Sequence, residues 1–135
     1  MKKNILLTLA AAVVLLFTSC NKELDLAGTT WKTGLITETV IYQNIEATAT
    51  MDFTIIFTNA TNYTVTYTGT AGVYPISIPM DGTESGTYVF DGENGVLTNS
   101  DGESHTFTYN KEDKTLNAVA EMDGFSMTLV FTQQK

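Results

Sequence analysis

The chain has 135 residues, of which 15 are acidic and 7 are basic, and its formal net charge at pH 7 is −8. Such an excess of negative charge provides no basic surface to neutralise phosphates, which argues against binding to nucleic acid or to an anionic membrane face. Cys20 is the only cysteine, so the chain cannot form an internal disulfide.

The start of the chain has the pattern of a secretory signal. Two lysines precede an apolar run over residues 5–17, and Thr18 and Ser19 are small residues at a cleavage position. The run is shorter than the roughly 20 residues that a membrane-spanning helix needs. We therefore expect residues 1–19 to be removed as a signal peptide.

Cys20 directly follows the two small residues, and this arrangement resembles the lipobox of bacterial lipoproteins. The resemblance implies that Cys20 becomes the first residue and carries acyl chains, palmitate among them, on its sulfur and amine. Several acyl chains anchor a protein durably, whereas one binds marginally. We expect an outer-membrane lipoprotein in which residues 20–28 form a polar tether. The acidic residues Glu23 and Asp25 resemble a surface-export signal, and the choice between the cell surface and the periplasmic face stays open.

Beyond the tether, apolar and polar residues alternate with the period of half-buried β-strands. In residues 51–58, for example, Met51, Phe53, Ile55 and Phe57 fall on one face. A further short segment, 73–78, is a candidate ninth strand. The eight principal predicted strands are 31–42, 48–58, 62–70, 84–91, 95–99, 104–110, 115–121 and 124–132.

Turn signals such as Asp-Gly and Asn-Gly separate these segments and favour tight hairpins. No segment after the signal has a convincing helical period, so crossover helices are not expected and the strands should be antiparallel. Closure of the sheet would remove exposed edges. We therefore predict an all-β, antiparallel, up-and-down barrel of about eight strands, with a two-sheet sandwich as the alternative.

A Gly-x-x-Trp sequence opens the first strand within LAGTTWKTG, residues 26–34. Together with the lipobox and the hairpin-rich second half, it resembles the lipocalin-like lipoproteins of Bacteroides-type bacteria. The resemblance implies a barrel domain over residues 29–135, with Trp31 closing one end. Trp31 is equally well explained as a core aromatic near the start of a strand.

Large apolar side chains lie on the faces expected to point into the barrel. A barrel of eight strands is just wide enough to be filled by side chains or to hold one small ligand, and both alternatives stay open. A small hydrophobic ligand would meet these residues, which are the candidate binding set: Phe53, Phe57, Tyr67, Tyr88, Phe107 and Met127.

The segment 71–82 departs from the hairpin rhythm because it holds both prolines and several apolar residues. Proline cannot donate to a strand ladder, so the segment is expected at an edge or in a loop. Tyr74, Ile76, Ile78 and Met80 make it a candidate lid or a surface for an envelope protein partner. The alternative is a plug that folds back onto the barrel end.

Catalytic and metal sites find little support in the sequence. His105 has Asp101 and Ser104 close by, but neighbours in a hairpin seldom converge as a catalytic triad does. The acidic residues Asp91 and Glu93 lie in turns and do not have the spacing of a calcium loop, and zinc ligands are too few. We therefore expect a protein that is not an enzyme and that has no cofactor and no metal.

Overall fold

The computed structural model describes residues 24–122 and 125–135, and every regular element in these ranges is a β-strand. The strands are β1 (Thr29–Tyr42), β2 (Ile45–Phe57), β3 (Asn62–Gly72), β4 (Ile78–Pro79), β5 (Gly82–Phe90), β6 (Asn94–Asn99), β7 (Ser104–Asn110), β8 (Thr115–Met122) and β9 (Phe125–Gln134). The predicted signal peptide and Cys20 lie outside the described residues.

Eight of these strands form a closed circuit. From β1 the order of hydrogen-bonded neighbours is β2, β3, β5, β6, β7, β8 and β9, and β9 pairs with β1 again. The closing contact joins residues 30–32 of β1 to residues 132–134 of β9. Each of the described pairings is antiparallel. The predicted up-and-down barrel is confirmed, and the sandwich alternative is wrong.

The ninth strand is much shorter than predicted. Residues 73–77 form a turn and an irregular stretch, and only Ile78–Pro79, which is β4, pairs with the end of β3. Pro75 and Pro79 lack the backbone N–H that a longer ladder would need. The segment is therefore an appendage at the barrel edge and contributes no wall strand.

The first hairpin is longer than the sequence pattern indicated. β2 begins at Ile45, three residues before the predicted start, and Tyr42 pairs directly with Ile45. The two residues between them, Gln43 and Asn44, have φ values of 50° and 64°. Positive φ at both positions is the requirement of a tight two-residue hairpin turn, which usually contains glycine. The absence of glycine concealed this turn in the sequence.

Alternation along the strands builds one core inside the barrel. Met51, Phe53, Ile55 and Phe57 of β2 are all buried, as their spacing predicts. The other strands contribute in the same way: Tyr63 of β3, Phe107 of β7, and Met127, Leu129 and Phe131 of β9 are buried at alternate positions. The largest fully buried side chains are Trp31, Tyr63, Phe57, Phe131, Leu26, Met51, Leu116 and Met127.

Glycines on the inner face make room for large side chains on the neighbouring strand. Gly95 is paired with Phe107, and a β-carbon built on Gly95 would lie 2.1 Å from the ring of Phe107. Gly82 is paired with Tyr67, where the same atom would lie 2.3 Å from the phenol oxygen. Each ring therefore lies across the bare backbone of its partner strand, which lets a narrow barrel hold several aromatic side chains.

The described part of the predicted tether, residues 24–28, packs against the barrel. Leu26 is only 2% exposed and belongs to the core, and Leu24 packs against that core. The backbone N–H of Gly28 donates to the carbonyl of Phe57 over 2.7 Å. Apolar leucines at two of these positions explain why the segment docks. Residues 24–28, predicted as part of the tether, therefore pack with the barrel core.

Candidate functional site

One end of the barrel is filled by aromatic side chains. Phe57 contacts Tyr88 in a T-shaped arrangement with ring centroids 4.7 Å apart, and Phe107 stacks on Phe90 at 5.7 Å. Phe57 and Phe107 are themselves 6.1 Å apart. Three members of the predicted binding set, Phe57, Tyr88 and Phe107, thus occupy this end, which we call the filled end.

Trp31 completes the filled end. Its side chain is 1% exposed, and its ring meets Tyr109 edge-on with centroids 6.3 Å apart. The indole Nε1 donates to the hydroxyl of Thr29 over 2.8 Å. Trp31 is thus a core aromatic at the start of β1, and it lies at the end of the barrel against which residues 24–28 pack.

The opposite end of the barrel contains a cavity of about 170 Å³. Its wall is mainly apolar, and Phe53 and Tyr67, from the predicted binding set, belong to it. Met127 is buried in the core but does not line the cavity. The remaining apolar lining residues are Ile55, Val65, Leu97, Ala118, Val119, Ala120, Leu129 and Phe131.

An interruption of the wall lies beside this cavity. β5 pairs with β6 only from Gly86 onward, so residues 82–85 have a strand partner only on the β3 side. β8 pairs with β7 only up to Ala118, and residues 119–122 pair with β9 alone. The short β6–β7 turn lies between β5 and β8 and does not fill the gap between residues 82–85 and residues 119–122. We call this gap the window.

Two glutamates and one histidine are among the lining residues, one on each element that borders the window. They are Glu84 on β5, His105 on β7 and Glu121 on β8. Because Leu116 and Ala118 of β8 face the core, alternation places the Glu121 side chain on the outer face. His105 and Glu121 are exposed, whereas Glu84 is half-buried. Glu84 shares the inner face of β5 with Gly82, Gly86 and Tyr88, so its carboxylate approaches the cavity from within the barrel.

A buried tyrosine holds the Glu84 carboxylate. The Tyr63 hydroxyl donates to Oε1 of Glu84 over 2.8 Å, and the Tyr63 side chain is 1% exposed. Burial, and then the hydrogen bond and negative charge of Glu84, raise the pKa of Tyr63 well above its ordinary value of 10.0. Tyr63 therefore stays neutral at physiological pH and fixes the direction of the carboxylate.

The residues near His105 do not converge on it. Ser104 shares a hydrogen bond of 3.2 Å with the hydroxyl of Thr98 on the adjacent strand. Because successive side chains of a strand point to opposite faces, Ser104 lies on the outer face and His105 on the inner face. The side-chain oxygen of Asn99 accepts from the backbone N–H groups of Asp101 and Glu103, so these hydrogen bonds belong to the turn and do not involve His105. The geometry thus holds no Ser-His-Asp triad around His105.

The acidic side chain of Asp91 stabilises its own turn by hydrogen bonds to the backbone. Oδ1 of Asp91 accepts from the backbone N–H of Glu93 at 2.9 Å and of Asn94 at 2.7 Å. These hydrogen bonds lower the pKa of Asp91 below its ordinary value of 3.8. Within residues 24–122 and 125–135, no three of the His, Cys, Asp and Glu side chains lie close enough together to hold a metal ion.

The apolar residues of the 71–82 segment face outward. Tyr74 is 94% exposed, Ile76 68% and Ile78 60%, whereas Met80 is partly buried against the core. The segment borders an open groove on the outer face of β2 and β3. It therefore does not plug the barrel, and it presents apolar side chains to the surroundings.

Sequence reasoning missed the polar part of the cavity. Alternation in β5 places Glu84 on the same face as Tyr88, which the sequence predicts to face the interior. Alternation in β7 likewise places His105 with Phe107. The strand period was thus a sufficient signal for both side chains, although the predicted binding set contains only aromatic residues and methionine.

Comparisons with known proteins found no match for this chain. No family model matches the chain, and no curated protein and no solved structure match it either. Among the residues that the structure describes, none forms a helix with the length and apolarity needed to span a bilayer.

Proposed function

We propose that this protein is a small-molecule binding module that takes up an apolar guest in the cavity at the end of the barrel opposite the filled end. The observation that carries the proposal is the cavity itself. Its wall is mainly apolar, and its few polar groups are gathered near the window. This combination of an apolar wall with a small number of placed polar groups is typical of ligand sites.

The volume of the cavity limits the guest. About 170 Å³ is below the range of roughly 300–1,000 Å³ for sites of drug-sized molecules. An engineered apolar cavity of about 150 Å³ binds benzene. The guest is therefore a molecule with about one ring and a short side chain, or an aliphatic molecule of similar size. We assign the barrel a binding role and no catalytic step.

The proposal includes attachment to the outer membrane through acyl chains on Cys20, and the signal-like residues before it support this. Four chain steps separate Cys20 from Leu24, which already packs on the barrel, and they span at most about 14 Å. Residues 24–28 lie at the filled end. A lipidated Cys20 would therefore hold the filled end towards the membrane and leave the window facing the aqueous side, where a water-soluble guest would enter.

Attachment is tested by metabolic labelling with palmitate and by membrane fractionation. The wild-type chain should incorporate label and sediment with membranes, and Cys20→Ser should do neither. Label retained in the variant, or a wild-type chain found in the soluble fraction, would contradict the anchor. Protease treatment of intact cells then distinguishes the cell surface from the periplasmic face, because only a surface-exposed chain would be cleaved.

Binding is tested by titrating the full chain, held in phosphatidylcholine nanodiscs, with 2-phenylethanol. The wild type should give saturable binding. Ala120→Phe adds a ring to an alanine that lines the cavity and should abolish that binding. Val130→Phe is the matched control, because Val130 is exposed on the outer face of β9 and a ring there leaves the cavity open. Equal binding by all three proteins would place the guest elsewhere.

A second function is favoured by the exposed side chains of the 71–82 segment. Tyr74 and Ile76 would dock on an envelope protein, in the manner of an apolar contact patch. Replacing both with serine should then remove crosslinks to that partner in intact cells while leaving guest binding unchanged. Crosslinks that persist in the double variant would exclude this surface.

A further inference from the structure

We infer that the guest is a small amine whose ammonium group binds the Glu84 carboxylate while its apolar body fills the cavity. The inference rests on the proposed function and names its ligand class. Glu84 is the half-buried carboxylate that reaches the cavity from the inner face of the barrel. A carboxylate next to a largely apolar wall is the natural partner of a cationic head on an apolar body.

The bond from Tyr63 prepares this carboxylate for a guest. The Tyr63 hydroxyl donates to Oε1 at 2.8 Å, and Oε2 is the acceptor that we assign to the ammonium group. Because Tyr63 is buried and anchored in the core, the carboxylate is oriented before the guest arrives. An oriented acceptor loses less conformational freedom on binding than a mobile one does.

The charges of the lining select against an anionic guest. The lining includes two glutamates and one histidine, and it holds neither lysine nor arginine. The chain as a whole carries a formal net charge of −8, which attracts cations towards the surface. A carboxylate-bearing guest would instead approach the Glu84 carboxylate, and like charges at close range disfavour binding.

The aromatic lining adds a second attraction for a cation. The rings of Phe53 and Tyr67 lie with their centroids 6.0 Å apart in the cavity wall. The negative face of an aromatic ring attracts an ammonium group within about 6 Å. Tyr67 is held against Gly82, two residues from Glu84 along the same inner face of β5. A ring and a carboxylate are thereby close together at the same end of the barrel.

The experiment compares three guests with the same phenyl body, namely 2-phenylethylammonium, 2-phenylethanol and 3-phenylpropanoate. Each is titrated at pH 7 into the full chain in phosphatidylcholine nanodiscs. We expect the ammonium compound to bind about tenfold more tightly than the alcohol, and the carboxylate compound to bind more weakly than both. Equal affinity for the three compounds would overturn the inference while leaving the proposed function intact, and no binding of any compound would overturn both.

Glu84→Gln is the diagnostic variant. The glutamine keeps an oxygen that accepts the Tyr63 hydroxyl, so the fold should be retained, which Trp31 fluorescence verifies. We expect the preference for the ammonium compound to fall to within about threefold of the alcohol, while alcohol binding persists. Glu46→Gln is the matched control, since it removes the same charge from an exposed position on β2 that does not line the cavity, and it should keep the preference for the ammonium compound. A preference that survives Glu84→Gln would contradict the assignment.

Discussion

The Tyr63 hydroxyl donates to Oε1 of Glu84 over 2.8 Å, and this bond joins the buried core to the cavity. Tyr63 on β3 and Glu84 on β5 belong to neighbouring strands and share the inner face of the barrel. The tyrosine is 1% exposed, whereas the glutamate is half-buried. The pair therefore couples the stability of the core to the orientation of the carboxylate proposed to bind the guest.

Alkaline pH should destabilise the barrel through Tyr63. Its pKa is raised in the folded state, first by burial and then by Glu84. An unfolded tyrosine loses its proton near pH 10, while folded Tyr63 still holds its own, so the unfolded state gains from deprotonation and stability falls as pH rises from there. Denaturant unfolding of the wild type and of Tyr63→Phe at about pH 8 and about pH 11 measures this effect.

Tyr63→Phe should be less stable than the wild type at pH 8, by about 1 kcal/mol, because it loses the bond to Glu84. The difference in the free energy of unfolding between the two proteins should be smaller at about pH 11, because the phenylalanine in the variant has no proton to lose. If the free energies of unfolding of the wild type and of Tyr63→Phe fell equally between about pH 8 and about pH 11, Tyr63 would not be the cause of the alkaline destabilisation.

Gly95→Ala should strain the filled end. The new β-carbon would lie 2.1 Å from the ring of Phe107, which must then move within a packed aromatic cluster. Overpacking of this kind costs about 1–3 kcal/mol of unfolding free energy. Denaturant titration measures the loss.

A double-mutant cycle with Phe107→Leu isolates the cause. Leucine is smaller than the ring, so Gly95→Ala should cost less in the Phe107→Leu background than in the wild type. Additive losses in the cycle would mean that the glycine is required for a reason other than contact with Phe107.

Trp31 should report on the filled end. It is the only tryptophan, it is 1% exposed, and it contacts Tyr109. Its emission should be blue-shifted and protected from acrylamide in the folded chain, and both properties should be lost on unfolding. Trp31→Ala should lower the free energy of unfolding by about 3–5 kcal/mol through the cavity that it creates. An emission typical of water-exposed indole in the native protein would contradict the packing.

Asp91→Ala should destabilise the β5–β6 turn in a pH-dependent manner. The two backbone N–H groups that lower the pKa of Asp91 favour its ionised form in the folded state. This contribution is present above the unfolded pKa near 3.8 and is lost as pH falls through the lowered folded value. Melting temperatures of the wild type and the variant should therefore differ at neutral pH and converge in strong acid.

Asp91→Asn is the control for this turn. Its side-chain oxygen still accepts from the two N–H groups but carries no charge. The variant should keep much of the neutral-pH stability and lose the acid dependence that Asp91 contributes. If Asp91→Ala remained equally destabilised down to strong acid, ionisation of Asp91 would play no part.

The strands could be predicted from the sequence because a period of two is a local property. The inward placement of Phe53 and Met127, for instance, follows from alternation within one strand. Alternation cannot predict whether the sheet closes, because a barrel and a sandwich require the same alternation. The contact that closes the barrel joins Thr132 to Lys32, which are separated by 100 residues, and no local pattern encodes that pairing.

The candidate site was only partly predictable for a related reason. An aromatic side chain that faces the interior can fill the core or line a cavity. Which of the two it does depends on its position along the barrel axis and on its neighbours. Phe53 and Phe57 lie on the same face of β2, yet Phe53 borders the cavity and Phe57 lies in the aromatic cluster. The window depends on where β5–β6 and β7–β8 pairing stops, and only the assembled registers reveal this.

A methyl NMR titration of the full chain in nanodiscs with 2-phenylethanol would show whether a guest binds inside the barrel. The methyl resonances of Leu97, Leu129 and Ala118, which line the cavity, should shift in a saturable manner. Those of Leu116, which is buried but does not line the cavity, should move little. Saturable shifts confined to Ile76 and Ile78 in the exposed segment, or no saturable shifts at all, would contradict the account of a guest inside the barrel.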